Sequence, residues 1–379
     1  MHFSEIIGQE HIKNHLLQTI ENNRIAHAQL FVGKEGSGTL AMALAYAQIL
    51  LCKDSKDKNV CELKCDKLTH PDLHFAFPVA TNDKVKKHAI SNLFLNEWRS
   101  FLKENSYANL YDWFQYIGVD NKQGQLSVEE AEQIVKTLQL KSFEGGAKVM
   151  IIWMPEKMHV SAANKLLKLI EEPPKNTVFL LVSEDEEKII NTIRSRCQII
   201  HFPPLSVSQI AETLISKKNV SSEEANSIAM QANGNYNKAL KLLSDNSKEL
   251  EFEQWFITWI RAAFRAKGNA SVIQQLIEWS DTIAASGRET QKQFLNYCSQ
   301  FFRQALLYNY GAKDLVFMKP KTANFKLENF APFIHSQNIH AIFKELDDAI
   351  YHIERNGNAK IILLDLSIKL TRFLHQKEQ

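Results

Sequence analysis

The stretch KVMIIWMPEKMHVSAANKLLKLIEEPPKNTVFLLVSEDEEKIINTIRSRCQIIH, residues 148–201, decides the fold. Val149 to Met154 is an unbroken apolar run, the pattern of a strand buried on both faces of a parallel sheet. Ala162 to Ile170 then sets Leu166, Leu167 and Ile170 on one helical face, and Glu171-Glu172-Pro173-Pro174 ends that helix. Val178 to Val182 reads as a second strand, followed by a charged helical segment to Ile193. After Ser195-Arg196-Cys197, Gln198 to Phe202 reads as a third strand. Strands alternating with helices over so short a distance need βαβ crossovers, hence an α/β domain with a parallel sheet.

Toward the amino terminus, Ile6-Ile7-Gly8-Gln9 leads into a helix with Ile12, Leu16 and Ile20 on one side, and Ala28 to Val32 reads as another buried strand. Gly33-Lys34-Glu35-Gly36-Ser37-Gly38-Thr39-Leu40 follows, opening an Ala/Leu-rich helix to about Leu51. A glycine loop between a strand and a helix amino terminus is where backbone N–H groups cradle phosphates. The candidate phosphate residues are Gly33, Gly36, Gly38 and Thr39. Gly33 and Gly38 keep the spacing G-x-x-x-x-G, but Thr39 and Leu40 stand where a phosphate loop has lysine and a hydroxyl residue. Nothing there neutralises the β/γ-phosphates, and a magnesium ligand is missing. The strand at 149–154 lacks its acid in the same way. It ends Trp153-Met154-Pro155, with Glu156 two residues too late to hold a magnesium water. Ser183 reads either as a γ-phosphate contact or as a helix cap.

Cys52, Cys61 and Cys65 fall in a polar Lys/Asp-rich loop that runs on to His70-Pro71-Asp72-Leu73-His74. Two readings stand: a small zinc module with His70 or His74 as fourth ligand, or three reduced loop thiols. Residues 75–126 are aromatic-rich and read as a partly helical insertion packed on the flank of the sheet. Ser127 with Glu130 makes a capping box for a helix to about Leu140, with Val128, Ala131, Ile134 and Leu138 facing inward.

At 379 residues, 45% hydrophobic and 23% charged, the chain has the composition of an ordinary globular protein with room for two or three domains. A net charge of +2 gives no global reason to bind nucleic acid, so any such contact must be a local patch. Five unevenly spaced cysteines make no disulfide framework, and no apolar run is long enough to span a membrane. With no leader at the amino terminus, the expected location is cytoplasmic, without membrane attachment. The expected domains are 1–204 (the sheet), 205–247 (three short helices begun by Ser206 with Gln209, by Ser221 or Ser222, and near Tyr236) and 248–379 (all helical). In the last, Trp255, Phe256, Trp259, Ile260 and Phe264 make a broad apolar stripe. Residues 311–326 break the pattern, and two long helices meet at Asn356-Gly357.

In order and spacing, these segments resemble the bacterial clamp-loader branch of the AAA+ proteins. The resemblance rests on Ile7-Gly8-Gln9, the glycine loop at 31–40, Cys52/Cys61/Cys65 with His70-Pro71-Asp72, Ala163-Asn164-Lys165-Leu166-Leu167-Lys168, Glu171-Glu172-Pro173-Pro174 and Ser195-Arg196-Cys197. It implies a P-loop AAA+ sheet domain, a helical lid and a helical collar through which subunits form a ring. Arg196 of the Ser195-Arg196-Cys197 motif would then be an arginine finger reaching a neighbour's ATP. The family's lid carries an arginine in G-x-x-R-x-A-L, where this chain has Asn237 between Gly234 and Leu240. The resemblance therefore implies a subunit with no nucleotide cofactor and no ATPase of its own. Its partners would be the motor and clamp-opening subunits and, within the complex, primed DNA. The family's zinc module uses four cysteines, against three here. The competing expectation is an active AAA+ ATPase, a loader or helicase motor, with an unorthodox site.

Overall fold

The computed structural model describes residues 2–376 apart from 120, 121, 123, 245, 246, 268, 270, 319, 321 and 323. It divides into two compact units, Met1–Leu243 and Ser244–Gln379.

The first unit begins with α1 (Glu10–Glu21), β1 (Ala28–Gly33), α2 (Thr39–Cys52), α3 (Lys58–Asp66) and β2 (Leu73–Ala76). It continues through α4 (Leu95–Glu104), α5 (Leu110–Tyr116), α6 (Val128–Gln139), β3 (Lys148–Trp153), α7 (Val160–Glu171), β4 (Thr177–Ser183), α8 (Asn191–Arg194) and β5 (Gln198–Phe202). The five strands are all parallel, in the order β2-β3-β4-β1-β5. β1, β3 and β4 are buried along their whole length, which is why they read as continuous apolar runs. Their side chains still alternate. Phe31, Ile151 and Leu180 face the core built with α2 and α4, and Leu30, Ile152 and Leu181 face the core built with α6 and α7.

Four strands lie where the sequence places them, and the fifth was missed. Leu73–Ala76 pairs with β3 from Leu73↔Val149 to Ala76↔Ile152, so the supposed insertion begins inside an edge strand. Four residues with a histidine among them carry too little period to be read. The region after Val178–Val182 also differs: it holds one 3₁₀ turn and the four-residue α8 rather than a helix. Cys61 and Cys65 lie one turn apart on α3, and all three clustered cysteines are buried; the loop reading is wrong. The box at Ser127 forms only by half. Ser127 accepts from Glu130 N at 3.2 Å, but the Glu130 carboxylate turns inward to Ser91 N at 2.6 Å.

Three further helices complete the unit: α9 (Val207–Lys218), α10 (Ser222–Ala232) and α11 (Tyr236–Leu243). Ser206 and Gln209 form a reciprocal box at α9, and Ser221 caps α10. Their own small core joins Leu205, Ile210, Leu214, Ile228 and Tyr236 to Ile7, with Tyr107 packed against it. These helices are thus fastened to the sheet by the chain's amino-terminal segment.

The second unit is helical: α12 (Ser247–Arg265), α13 (Ser271–Ala284), α14 (Arg288–Asn309), the short α15 (Leu327–Phe330), α16 (Ser336–Glu354) and α17 (Ala359–Phe373). Phe256, Trp259 and Ile260 from the predicted stripe are buried, while Phe264 stays 41% exposed. Trp259 stacks on Trp279 at 5.0 Å and donates to Ser367 Oγ at 2.8 Å, satisfying the one polar atom its ring carries into the core. No helix among the described residues is long and apolar enough to cross a membrane.

Candidate functional site

Gly33, Gly36, Gly38 and Thr39 surround the turn from β1 into α2. Gly36 and Gly38 have φ of +72° and +91°, so the turn is built on positions that only glycine adopts without strain. In a working site a triphosphate would fill the space over such a loop. Here the cavity measures about 20 Å³, against roughly 300–1,000 Å³ for an ordinary ligand pocket.

The chain itself fills the space. A Cβ on Gly38 would sit 2.9 Å from the Tyr107 ring, and one on Gly36 would collide with the Asn235 side chain. Tyr236 N donates to Gly36 O at 3.2 Å, tying the start of α11 to the loop. Tyr107 accepts from Ile7 N at 2.9 Å through its hydroxyl and packs edge-on against Tyr236 at 5.1 Å. Sequence reading missed this plug. Tyr107 is one aromatic among many in its region, and nothing local shows that it stands over the loop.

The side chains that stand at the motif positions make structural contacts. Leu40 is buried in the core. Trp153 is 2% exposed, its ring 5.1 Å from Trp98, so the strand end that would hold a magnesium acid carries an aromatic core contact. Asn237 donates to Glu35 at 3.1 Å and to Asp112 at 2.7 Å, and accepts from Asn105 at 2.7 Å. Ser183 Oγ accepts from Asp185 N at 3.1 Å, a local turn bond at the end of β4, while the cap of the next 3₁₀ turn is Asp185 itself. The surroundings are also anionic. Burial, with Glu35 and Glu156 close by, pushes the Glu184 carboxyl up to about 7. Burial also raises Glu156, which holds Glu184 N at 3.0 Å. A site of carboxylates competing for protons is unsuited to a tetra-anionic triphosphate.

Arg196 lies at the other end of the sheet. It precedes β5 by two residues, and Gln198 is level with Gln29 at the start of β1. The glycine loop leaves the opposite end, about 20 Å away at ~3.3 Å per strand residue. Arg196 Nε donates to Glu171 at 3.1 Å and Nη1 to Thr192 O at 2.9 Å, with its side chain one-third exposed. This is an open surface pair, worth little in stability. Ser195 is exposed, and Cys197 is a part-buried thiol pushed up to about 12 by burial, too high for a nucleophile.

Cys52, Cys61 and Cys65 do converge. Cys52 and Cys61 form a disulfide, contrary to the expectation of reduced thiols, and Cys65 Sγ lies 3.9 Å from Cys52 Sγ. Cys61, His70 and Glu144 also bring ligand atoms within 4.8 Å of one another. His70 Nε2 faces Glu144 at 3.2 Å, whereas His74 lies on β2 away from the cluster. Of the two histidines considered, only His70 comes near, and it is grouped with Cys61 and Glu144, not with the other two sulfurs.

A parallel sheet in this strand order, with a glycine loop after β1 and a helical lid over it, defines a P-loop AAA+ protein. A family model described as DNA polymerase III, delta subunit, matches residues 8–206. The chain is 30% identical over 267 residues to DNA polymerase III subunit delta' of Bacillus subtilis, covering 69% of this chain and 67% of that one. It is 26% identical over 245 residues to subunit tau/gamma of Haemophilus influenzae, covering 63% of this chain but 30% of the relative. Among solved structures, a gamma subunit-related protein of Thermotoga maritima covers 95% of this chain at 13% identity and a TM-score of 0.43. The chain belongs to this DNA polymerase III family of clamp-loader subunits.

Proposed function

We propose that this chain is the delta-prime subunit of a DNA polymerase III clamp loader, an ATPase-deficient stator in the ring that sets a sliding clamp on primed DNA. The observation that carries the reading is the phosphate loop closed by Tyr107, Asn235 and Tyr236, while Arg196 stands part-exposed at the far end of the sheet. An arginine so placed cannot serve its own loop and is suited to a neighbour's γ-phosphate, where a planar, permanently charged fork stabilises developing charge. Partners are then the motor and clamp-opening subunits, met through the sheet domain and the helical collar.

The test is reconstitution of the loader with Arg196→Ala in this subunit. DNA-dependent ATP hydrolysis at the adjoining site is expected to fall on the order of a hundredfold or more. Unchanged turnover would sink the finger. Calorimetry of the isolated chain with magnesium-ATP decides the other half: micromolar binding with turnover would make it a motor.

The same reading gives the cysteine cluster a zinc ion once the Cys52–Cys61 bond is reduced. Three thiolates are donors that suit zinc, and His70, grouped with Cys61 and Glu144, would have to turn from Glu144 to complete the set. Chain purified under reducing conditions is expected to hold one zinc by elemental analysis, lost in Cys65→Ser. A metal-free chain would overturn the assignment.

A further inference from the structure

The second unit carries a groove of about 510 Å³ between the end of α12 and the segment around α15. Its floor is Ile260, Phe330 and Leu374, all buried, and Phe264 and Phe333 form walls that remain 41% and 36% exposed. Arg261, Arg265 and Lys326 stand among the lining residues, and among the described residues no carboxylate does. The bonds of the two arginines are to neutral acceptors: Arg261 to Asn324 O at 2.6 Å, and Arg265 to Gln275 at 3.1 Å and Arg261 O at 3.3 Å. The whole chain has 45 basic and 43 acidic side chains, so three cations around an apolar hollow with no acid among its described lining residues are a local departure, not background.

We propose that this groove docks a short peptide segment of a partner protein, carrying a large apolar side chain flanked by carboxylates. The hollow is of the size that holds an anchor side chain with its neighbours. The rim offers three long-reaching cations to the flanking acids. A single-stranded nucleic acid suits the same charge less well, because it needs open ring faces on which bases stack. Phe264 is stacked on His375 at 4.8 Å and meets Phe333 edge-on at 4.9 Å, while Phe325 packs against Phe330 at 6.0 Å. Each of these rings already packs against another ring, which suits the lining to an inserted side chain better than to a stacked base. The inference stands on this groove alone and does not depend on the role of Arg196.

The experiment uses the full chain and three fluorescein-labelled peptides that share a Leu-x-x-Phe core, flanked by aspartates, asparagines or lysines. In anisotropy titrations the aspartate peptide is expected to bind at least tenfold tighter than the asparagine one, and more weakly as salt is raised. The surface variant Arg265→Glu with Lys326→Glu, its fold checked by circular dichroism, is expected to lose at least tenfold and to prefer the lysine peptide. That reversal of preference cannot come from general damage. Equal binding of all three peptides overturns the proposal, as does an unaffected charge-reversed variant. So does competition by oligo-dT at lower concentration than the aspartate peptide, or self-association of the chain abolished by the same two substitutions.

Discussion

Glu130 is 3% exposed, accepts from Ser91 N at 2.6 Å, and is pushed by burial up to about 7. An unfolded glutamate titrates near 4.3. The native state therefore holds the extra proton between those values, and the stability it contributes is full below about 4.3 and fades as pH rises through about 7. The span amounts to roughly 4 kcal/mol. Glu130→Gln, which keeps an acceptor for Ser91 without a charge, is expected to flatten this slope and to be the more stable form at pH 8. Urea titrations of both proteins from pH 4 to 8 check it, and parallel curves would refute it. The sequence shows Ser127 and Glu130 as a reciprocal cap because that pattern is local. It cannot show Ser91, 39 residues away, taking the carboxylate instead. Arg196 has the opposite standing. Its motif was plain, but Glu171 as its companion emerged only when α7 and α8 were brought side by side.

Elements announced themselves when their chemistry was their own. β1, β3 and β4 read as unbroken apolar runs because helices cover both faces, and α9 and α10 start at serines that do cap them. β2 did not, since an edge strand of four residues owes its existence to β3 beside it. The join of α6 to β3 shows how one element can depend on the first residue of another. Lys148 is 4% exposed, its ammonium donating to Leu138 O and Leu140 O at the end of α6, and burial holds its pKa below the usual lysine value. A cation at the negative end of a helix satisfies carbonyls that have no partner within it. Lys148→Met keeps the apolar stem and leaves both carbonyls unpaired, at a cost of about 2–3 kcal/mol. Chemical denaturation measures that loss, and hydrogen exchange should show it concentrated in the last turn of α6. A global loss with unchanged protection there would place the effect elsewhere.

At the scale of the molecule, closure of the phosphate loop is distributed over parts far apart in sequence. Leu40 belongs to α2, Trp153 to β3, Tyr107 to the loop before α5, and Asn235 and Tyr236 to the entrance of α11. The substitutions at Thr39, Leu40 and Trp153 were legible because a motif defines what should stand there. The plug was not, because no motif says that a tyrosine from the aromatic region lies over Gly38. Each part has a second hold: Trp153 packs tilted against Trp98, Asn237 bridges Glu35 and Asp112, and Tyr107 anchors Ile7. Restoring the motif alone should accordingly fail. Thr39→Lys with Leu40→Thr returns the lysine and the hydroxyl, but leaves a cavity of about 20 Å³ and a Glu184 shared with two other carboxylates. Calorimetry of that double variant is expected to show no heat of magnesium-ATP binding at millimolar nucleotide. Adding Tyr107→Ala and Asn235→Gly, which clear the space over Gly38 and Gly36, should be needed before any binding appears. Micromolar affinity in the double variant would mean that the lid opens readily in solution and that the missing lysine, not the plug, keeps nucleotide out.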